Sequence, residues 1–302
     1  MRHAIEMNHL TKRFGRNMAV DNLTCQIPEG SIFAFLGPNG AGKTTTIKTL
    51  MNIMAPDSGS AKVLGVSSRG LSPQEFRQIG YVSENQEMPD WMTVEEFLSY
   101  CKRMYPAWDD HFCKELLNQF DLPLKDKLKN LSRGMKMKAV LISSLAYRPK
   151  LLILDEPFSG LDPLVREEFI SGVLDITETE HWTILVSSHD IDEVERLADW
   201  VGIIDKGSLK VAEKTEELQK RFRKIEVTLA HTAPDQLSIP DAWFVFKKEG
   251  RVARFVDSQY CQGQSEQKIR VVFSGCADIV VSGMTLREIF LACAKKYKIN
   301  SL

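Results

Sequence analysis

The sequence predicts an α/β fold with a largely parallel sheet, joined to a small C-terminal α+β domain. Three observations carry that prediction. Up to about Lys220, short apolar runs ending in Gly, Asp or Ser alternate with segments of helical period, which is how a parallel sheet with crossover helices reads. Beyond Lys220, the runs Ile225 to Leu229, Trp243 to Phe246, Val252 to Val256 and Ile269 to Phe273 are short and rich in β-branched and aromatic residues, and they are expected as strands. A length of 302 residues, at about 150 per domain, fits two domains. The expected boundaries are 1–220 and 221–302.

In chain order, Ile32 to Leu36 is the first buried-strand candidate. It runs into a glycine-rich turn, and Ile47, Leu50, Met51 and Met54 then recur with helical spacing. A mostly helical insertion is expected over about 89–147. Within it Thr93 and Glu96 have the spacing of a capping box, Val94, Phe97, Leu98 and Cys101 share one face, and Pro106 lies where that helix must stop. Leu151 to Leu154 is a second buried strand, ending in adjacent carboxylates. In the C-terminal domain, Lys248-Glu249-Gly250 reads as a hairpin turn. Thr285 with Glu288 is another capping box, and Leu286, Ile289, Phe290 and Cys293 give the chain a closing amphipathic helix.

Composition excludes several classes of function. With 39 Lys and Arg against 40 Asp and Glu, the net charge is -1, so no strongly basic tail is available and no nucleic-acid partner is expected. No run approaches the ~18 to 20 apolar residues of a membrane helix, and Met1 to Leu10 has no apolar stretch like a signal peptide. The polypeptide is expected to be soluble by itself. The six cysteines are scattered without a C-x-x-C pair, which argues against a disulfide framework or zinc site. The six histidines also lack ligand spacing, and His181 and His231 read as surface residues.

The chemistry begins at Gly37-Pro38-Asn39-Gly40-Ala41-Gly42-Lys43-Thr44-Thr45, a complete G-x-x-x-x-G-K-[ST] set between a strand and a helix. Glycines let the backbone turn its N–H groups toward phosphate oxygens at a helix N-terminus. Lys43 is placed to reach the β and γ phosphates, and the Thr44 hydroxyl to hold Mg²⁺. Asp155, at the end of the second strand, can orient the hydrated metal, and Glu156 can polarise the water that attacks the γ-phosphate.

Further motifs then follow in a fixed order. Leu131-Ser132-Arg133-Gly134-Met135 opens a helix ahead of Asp155, Ser159-Gly160-Leu161-Asp162 follows the carboxylates, and Val186-Ser187-Ser188-His189-Asp190 ends a third strand. Together they resemble the ABC ATPases. The resemblance implies a P-loop NTPase fold: a RecA-like core with an antiparallel β portion and a helical subdomain. It also implies ATP and Mg²⁺ bound between two copies in a head-to-tail homodimer, with Ser132 and Gly134 contacting in trans the γ-phosphate held by the opposite Lys43. It makes Glu156 the general base and His189 a γ-phosphate contact. Phe14, in Lys12-Arg13-Phe14-Gly15, stands where the family stacks an aromatic ring on adenine; a core aromatic is the plainer alternative.

Two motifs depart from the family pattern, at three positions. Arg133 and Met135 replace a glycine and a glutamine of the common signature, while Gly134 is kept. Glu84 stands where most members carry glutamine, with Gln86 nearby but out of register; a carboxylate there can approach Mg²⁺ or the attacking water. Both departures, and the C-terminal appendage, resemble the subfamily that powers ABC-2-type exporters. That likeness implies a separate polytopic membrane permease subunit and a location at the cytoplasmic face of the membrane. Trp91 and Met92 read either as packing or as part of a groove for that partner. The rival function is a soluble ABC ATPase acting on nucleic acid or ribosomes, and the rival role for the appendage is regulation or dimerisation.

Overall fold

A computed structural model describes residues 2–180, 182–231 and 237–297. His181 lies outside the described residues. The chain divides into two compact units, Met1–Ala212 and Glu213–Leu302.

The first unit opens with two long antiparallel strands, β1 (His3–Phe14) and β2 (Asn17–Pro28), paired from His3 with Pro28 to Phe14 with Asn17. The next strand, β3 (Ile32–Leu36), leads into α1 (Lys43–Leu50). Then β4 (Ser58–Val63) and β5 (Val66–Ser67) complete a four-stranded antiparallel sheet in the order β2-β1-β4-β5. The chain continues through α2 (Pro73–Phe76), β6 (Ile79–Ser83), α3 (Val94–Lys102), α4 (Asp110–Gln119) and α5 (Arg133–Leu145). It closes with β7 (Leu151–Asp155), α6 (Pro163–Glu180), β8 (Thr183–Ser188), α7 (Ile191–Val194), β9 (Trp200–Asp205) and β10 (Ser208–Lys214).

A six-stranded sheet runs β10-β9-β3-β8-β7-β6, and its pairs β9–β3, β3–β8, β8–β7 and β7–β6 are parallel. Every residue of β3, β7 and β8 is buried. Such strands are covered on both faces, which is why they read as unbroken apolar runs. Ile5, Leu10, Val20 and Val63 of the antiparallel sheet join Phe33, Phe35, Ile153 and Leu185 of the parallel sheet, with Ile47 and Leu50 of α1, in one core. The antiparallel portion thus fixes the start of α1 against the centre of the parallel sheet.

The helical insertion is built from local signals. Thr93 Oγ1 accepts from the Glu96 backbone N–H at 3.2 Å and the Glu96 carboxylate accepts from the Thr93 N–H at 2.8 Å, so α3 starts on a complete capping box. It ends at Lys102, before Pro106. Asp109 caps α4 and Ser132 caps α5. The α5 helix is buried along most of its length and anchors the insertion on the sheet: Ser144 Oγ donates to the Tyr81 carbonyl at 3.1 Å, and the Tyr147 hydroxyl beyond its end donates to that of Ile79 at 2.8 Å.

The second unit contains α8 (Thr215–Arg221), β11 (Arg223–Leu229), β12 (Trp243–Glu249), β13 (Val252–Asp257), α9 (Gln264–Val272), β14 (Cys276–Ser282) and α10 (Leu286–Tyr297). Its strands form an antiparallel sheet in the order β12-β13-β11-β14. The core is aromatic: the Trp243 ring stacks on Phe255 at 4.1 Å and on Phe273 at 6.0 Å. Gly250, with φ 59°, makes the turn between β12 and β13. Thr285 and Glu288 cap α10 as expected.

Two expectations differ from this unit. The run Ile269 to Phe273 is not a strand; it continues α9, with Ile269 and Phe273 buried four residues apart and Val271 82% exposed between them. The strand is Cys276–Ser282, whose side chains are exposed or half-buried and whose apolar run is only the three residues Ile279 to Val281. The division between units falls after Ala212, within β10 and ahead of the expected Lys220, and α8 lies in the C-terminal unit. There the Arg221 guanidinium binds Glu213 and donates to the Ser258 carbonyl, and the Phe222 ring meets Phe244 at 5.9 Å. All six cysteines are free thiols, and burial pushes the Cys25 thiol up to about 12. Among the described residues no helix is long and apolar enough to cross a membrane, and no cluster of His, Cys, Asp or Glu could hold a metal unaided.

Candidate functional site

The parallel register brings the expected site together at one edge of the sheet. Leu36 pairs with Ser188 and Asp155 with Ser187, so Gly37, Glu156 and His189 leave three adjacent strands at their C-terminal ends. This is where open α/β sheets bind ligands.

The turn from Gly37 to Thr45 closes on itself. Gly42 caps α1 with φ 106°, and a Cβ there would lie 2.2 Å from the Ala19 carbonyl oxygen, so only glycine allows β2 to press against the loop. The loop residues Asn39 to Thr45 line a cavity of about 300 Å³ with Phe14, Asn17, Ala19, Glu84 and Glu156. Phe14 is 48% exposed at its rim, with Lys12 Nζ 5.6 Å from the ring centroid. An exposed ring there offers a flat face to a base rather than filling the core. Lys43 is buried, and its Nζ donates to the carbonyls of Gly37 at 2.6 Å and Pro38 at 3.2 Å. The same nitrogen lies 2.9 Å from Glu156 Oε1, an ion pair that lacks the angle of a hydrogen bond.

Asp155 is held by two hydroxyls. Thr44 Oγ1 donates to Asp155 Oδ1 at 3.0 Å and Ser187 Oγ donates to the same oxygen at 2.8 Å. Burial raises the Asp155 carboxyl above its ordinary value; the two donated hydrogen bonds oppose that shift and the neighbouring Glu156 adds to it. Glu156 has φ 53°, a left-handed backbone that costs a non-glycine residue of order 1–3 kcal/mol. Its N–H donates to Ser187 Oγ at 3.0 Å, and the bend aims its carboxylate back across the loop. There His189 Nδ1 is 2.8 Å from Glu156 Oε2, so the carboxylate sits between a lysine and an imidazole.

Glu84 follows β6, and its N–H donates to the Asp155 carbonyl at 3.0 Å. Its side chain lines the loop cavity and a second cavity of about 280 Å³, shared with Thr44, Lys48, Tyr81, Asp155 and Glu156. Glu84 Oε1 accepts from Ser159 Oγ and from Arg133 NH2, each at 2.7 Å. Burial pulls its carboxyl upward, but these two donors outweigh it and hold the group below the ordinary carboxylate range. Behind His189, Ser188 Oγ donates to the buried Glu193, which Arg166 of α6 approaches at 3.2 Å.

Of the residues expected from the sequence, Gly37 to Thr45, Asp155, Glu156, His189, Glu84 and Phe14 meet in this one region. Ser132 and Gly134 line neither cavity. They sit at the start of α5, where Ser132 Oγ accepts from the Met135 N–H and a Cβ on Gly134 would strike Val165 of α6 at 2.6 Å. Sequence reasoning missed Asn17 in the first cavity, Lys48 and Tyr81 in the second, and the roles of Ser187, Ser159 and Arg166. Ser187 carried a faint signal, a hydroxyl following the apolar run Ile184 to Val186 of a buried strand. Ser159 stood in a recognised motif without its contact to Glu84 being visible, Asn17 and Lys48 lie close in sequence to Phe14 and Thr44, and Tyr81 and Arg166 carried no signal.

A strand–glycine loop–helix unit whose threonine bonds an aspartate two strands away in the same parallel sheet, with a glutamate following it, defines a P-loop ATPase. Comparison with known sequences and structures narrows the class. Residues 20–159 match the family described as ABC transporter. The chain is 30% identical to the ABC transporter ATP-binding protein YtrB of Bacillus subtilis (strain 168), over 74% of this chain and 76% of the relative. It is 34% identical to the bacitracin transport ATP-binding protein BcrA of Bacillus licheniformis, over 73% and 72% respectively. A solved ATP-binding subunit of an ABC transporter superposes with a TM-score of 0.65 at 27% identity, covering 72% of this chain and 92% of that one. The chain belongs to the ATP-binding subunits of ABC transporters: it binds ATP and is the ATPase of such a transporter.

Proposed function

We propose that this ATPase works as a head-to-tail homodimer on Mg²⁺-ATP, and that it drives ABC-2-type export through a separate polytopic permease at the cytoplasmic face of the membrane. The observation that carries the dimer is the position of Ser132 and Gly134. Their helix N-terminus and hydroxyl are donors suited to an anion, yet they line neither cavity of their own chain. A second copy, offering its phosphate loop to them, gives them a ligand. The export reading is supported by the departures at Glu84 and Arg133 and by likeness to a relative named for bacitracin transport.

The metal has suitable donors. Thr44 Oγ1 and Asp155 Oδ1 are hard oxygens 3.0 Å apart on a rigid strand and helix, and Mg²⁺ takes one or two such ligands while keeping waters and phosphate oxygens. Bound there it would neutralise charge on the phosphates. Lys43 would exchange Glu156 for the β and γ phosphates, releasing the carboxylate to accept a proton from the attacking water. His189, bonded to the other Glu156 oxygen, steers that carboxylate and reaches the γ-phosphate. Glu84, facing both cavities, is placed to orient a metal-bound water. Phe14 stacks on adenine, with Asn17 beside it.

Complementation tests the dimer. Lys43→Ala cripples one phosphate loop and Ser132→Arg cripples the helix N-terminus serving the other copy. Each homodimer is expected to be inactive, whereas the mixture should recover hydrolysis, because half of the sites in a mixed dimer are intact. Recovery absent from a mixture that demonstrably exchanges subunits would sink the composite site. For the partner, co-purification with a polytopic membrane protein is expected; co-purification with RNA or ribosomes would favour the rival reading.

A further inference from the structure

We propose that Arg133 is a positioning residue for hydrolysis that acts through Glu84: two of the positions where the chain departs from its family compensate each other. They are far apart in sequence, yet Arg133 NH2 lies 2.7 Å from Glu84 Oε1. Ser159 Oγ donates to the same oxygen. The guanidinium also covers the turn after β7, where a Cβ on Gly160, whose φ is 67°, would fall 2.5 Å from Arg133 NH1. Three segments therefore meet on one carboxylate oxygen: the loop after β6, the turn after Glu156 and the first residue of α5.

Electrostatics gives the pair its purpose. The second cavity already holds Asp155 and Glu156, and a triphosphate adds further negative charge. An uncompensated third carboxylate there would repel both. Arginine suits the task because its planar fork keeps its charge at any working pH and can contact a carboxylate and a backbone turn together. The Glu84 backbone is already tied to Asp155, so the pair controls where the side chain points. Arg133 and Glu84 are 48% and 29% exposed, and ion pairs so wet contribute little to folding. The consequence belongs in turnover. Where the proposed dimer holds, Ser132 lies next to Arg133, so a change at Glu84 in one nucleotide site also moves the donor offered to the other.

The test is a double-mutant cycle on full-length protein, reading kcat and KM for ATP, nucleotide affinity and melting temperature. Arg133→Gly is expected to lower kcat about tenfold, a coupling of ordinary size for contacting groups, with KM and nucleotide affinity changed less than about twofold and the melting temperature shifted by no more than about 2 °C. Adding Glu84→Gln to Arg133→Gly is expected to restore kcat to within about threefold of the parent. The same Glu84→Gln change in the parent should bring no gain. Arg133→Gln, uncharged and compatible with a helix, serves if glycine unravels α5, with the same expectation. Equal effects of Glu84→Gln on both backgrounds, or parent-level kcat in Arg133→Gly, would overturn the proposal. A positive cycle alongside failed complementation between Lys43→Ala and Ser132→Arg would remove the dimer and leave the pair standing.

Discussion

At the residue scale the site is a set of charges kept in check by specific neighbours. Glu156 is held by Lys43 and His189 in a strained backbone, so its removal should cost chemistry before binding. Glu156→Gln is expected to keep ATP affinity and to lower turnover by about 10²- to 10⁴-fold, the usual loss on removing a general base. It should also accumulate an ATP-bound dimer on size exclusion; parent-rate hydrolysis would contradict the assignment. Asp155 makes a prediction about pH. Burial holds its folded value above the unfolded one of about 4. A carboxyl shifted that way favours folding fully below its unfolded value, and that contribution is lost as pH rises through the folded value. Asp155 therefore supports the nucleotide-free chain less as pH rises. Asp155→Asn should melt higher than the parent at pH 7, the gain shrinking toward pH 4, and should lose hydrolysis. A lower melting temperature at pH 7 would show that the hydroxyl donors outweigh burial. These roles were legible because loop, aspartate and glutamate are contiguous motifs; Arg133 facing Glu84 was not, since no local pattern records a contact between distant loops.

At the scale of elements, the helices that carry the site begin where their caps say they should. Thr93 satisfies two otherwise unpaired donors of α3 together with Glu96, and it lines neither cavity. Thr93→Ala should cost about 1 kcal/mol, seen as faster hydrogen exchange across the first turn of α3, with hydrolysis unchanged; undisturbed exchange would mean that tertiary packing alone holds that end. The strands were equally readable, because β3, β7 and β8 are buried on both faces and their apolar runs admit little else. The segment 264–282 was not. A five-residue apolar run fits a strand or one face of a short helix, and Ile269 with Phe273 took the helix because both then reach the Trp243 and Phe255 rings. The adjoining strand β14 has only the short β-branched run Ile279 to Val281, behind Asp278, and its inward residues Cys276, Ile279 and Val281 are half-buried.

For the whole molecule, the position of the division has a practical consequence. Leu218 and Phe222 are fully buried, and α8 belongs to the C-terminal unit. A fragment ending at Ala212 is expected to stay monodisperse and bind ATP, whereas one ending at Lys220 carries α8 without its partners and should unfold at lower temperature and aggregate. Equal midpoints for the two fragments would place the boundary elsewhere. The composition shift near Lys220 marked where strands change character, but a short amphipathic helix has no sequence mark saying which domain it packs against. What the sequence determined by itself was the reaction's equipment, because phosphate binding, metal orientation and base catalysis each need particular residues at spacings that one loop or one strand end can hold. Tertiary structure alone decided how the equipment is connected. The register of parallel strands sets Ser187 beneath Asp155 and Glu156, and the packing of α5 sets Arg133 on Glu84. Such contacts depend on distances between segments that the chain brings together only by folding.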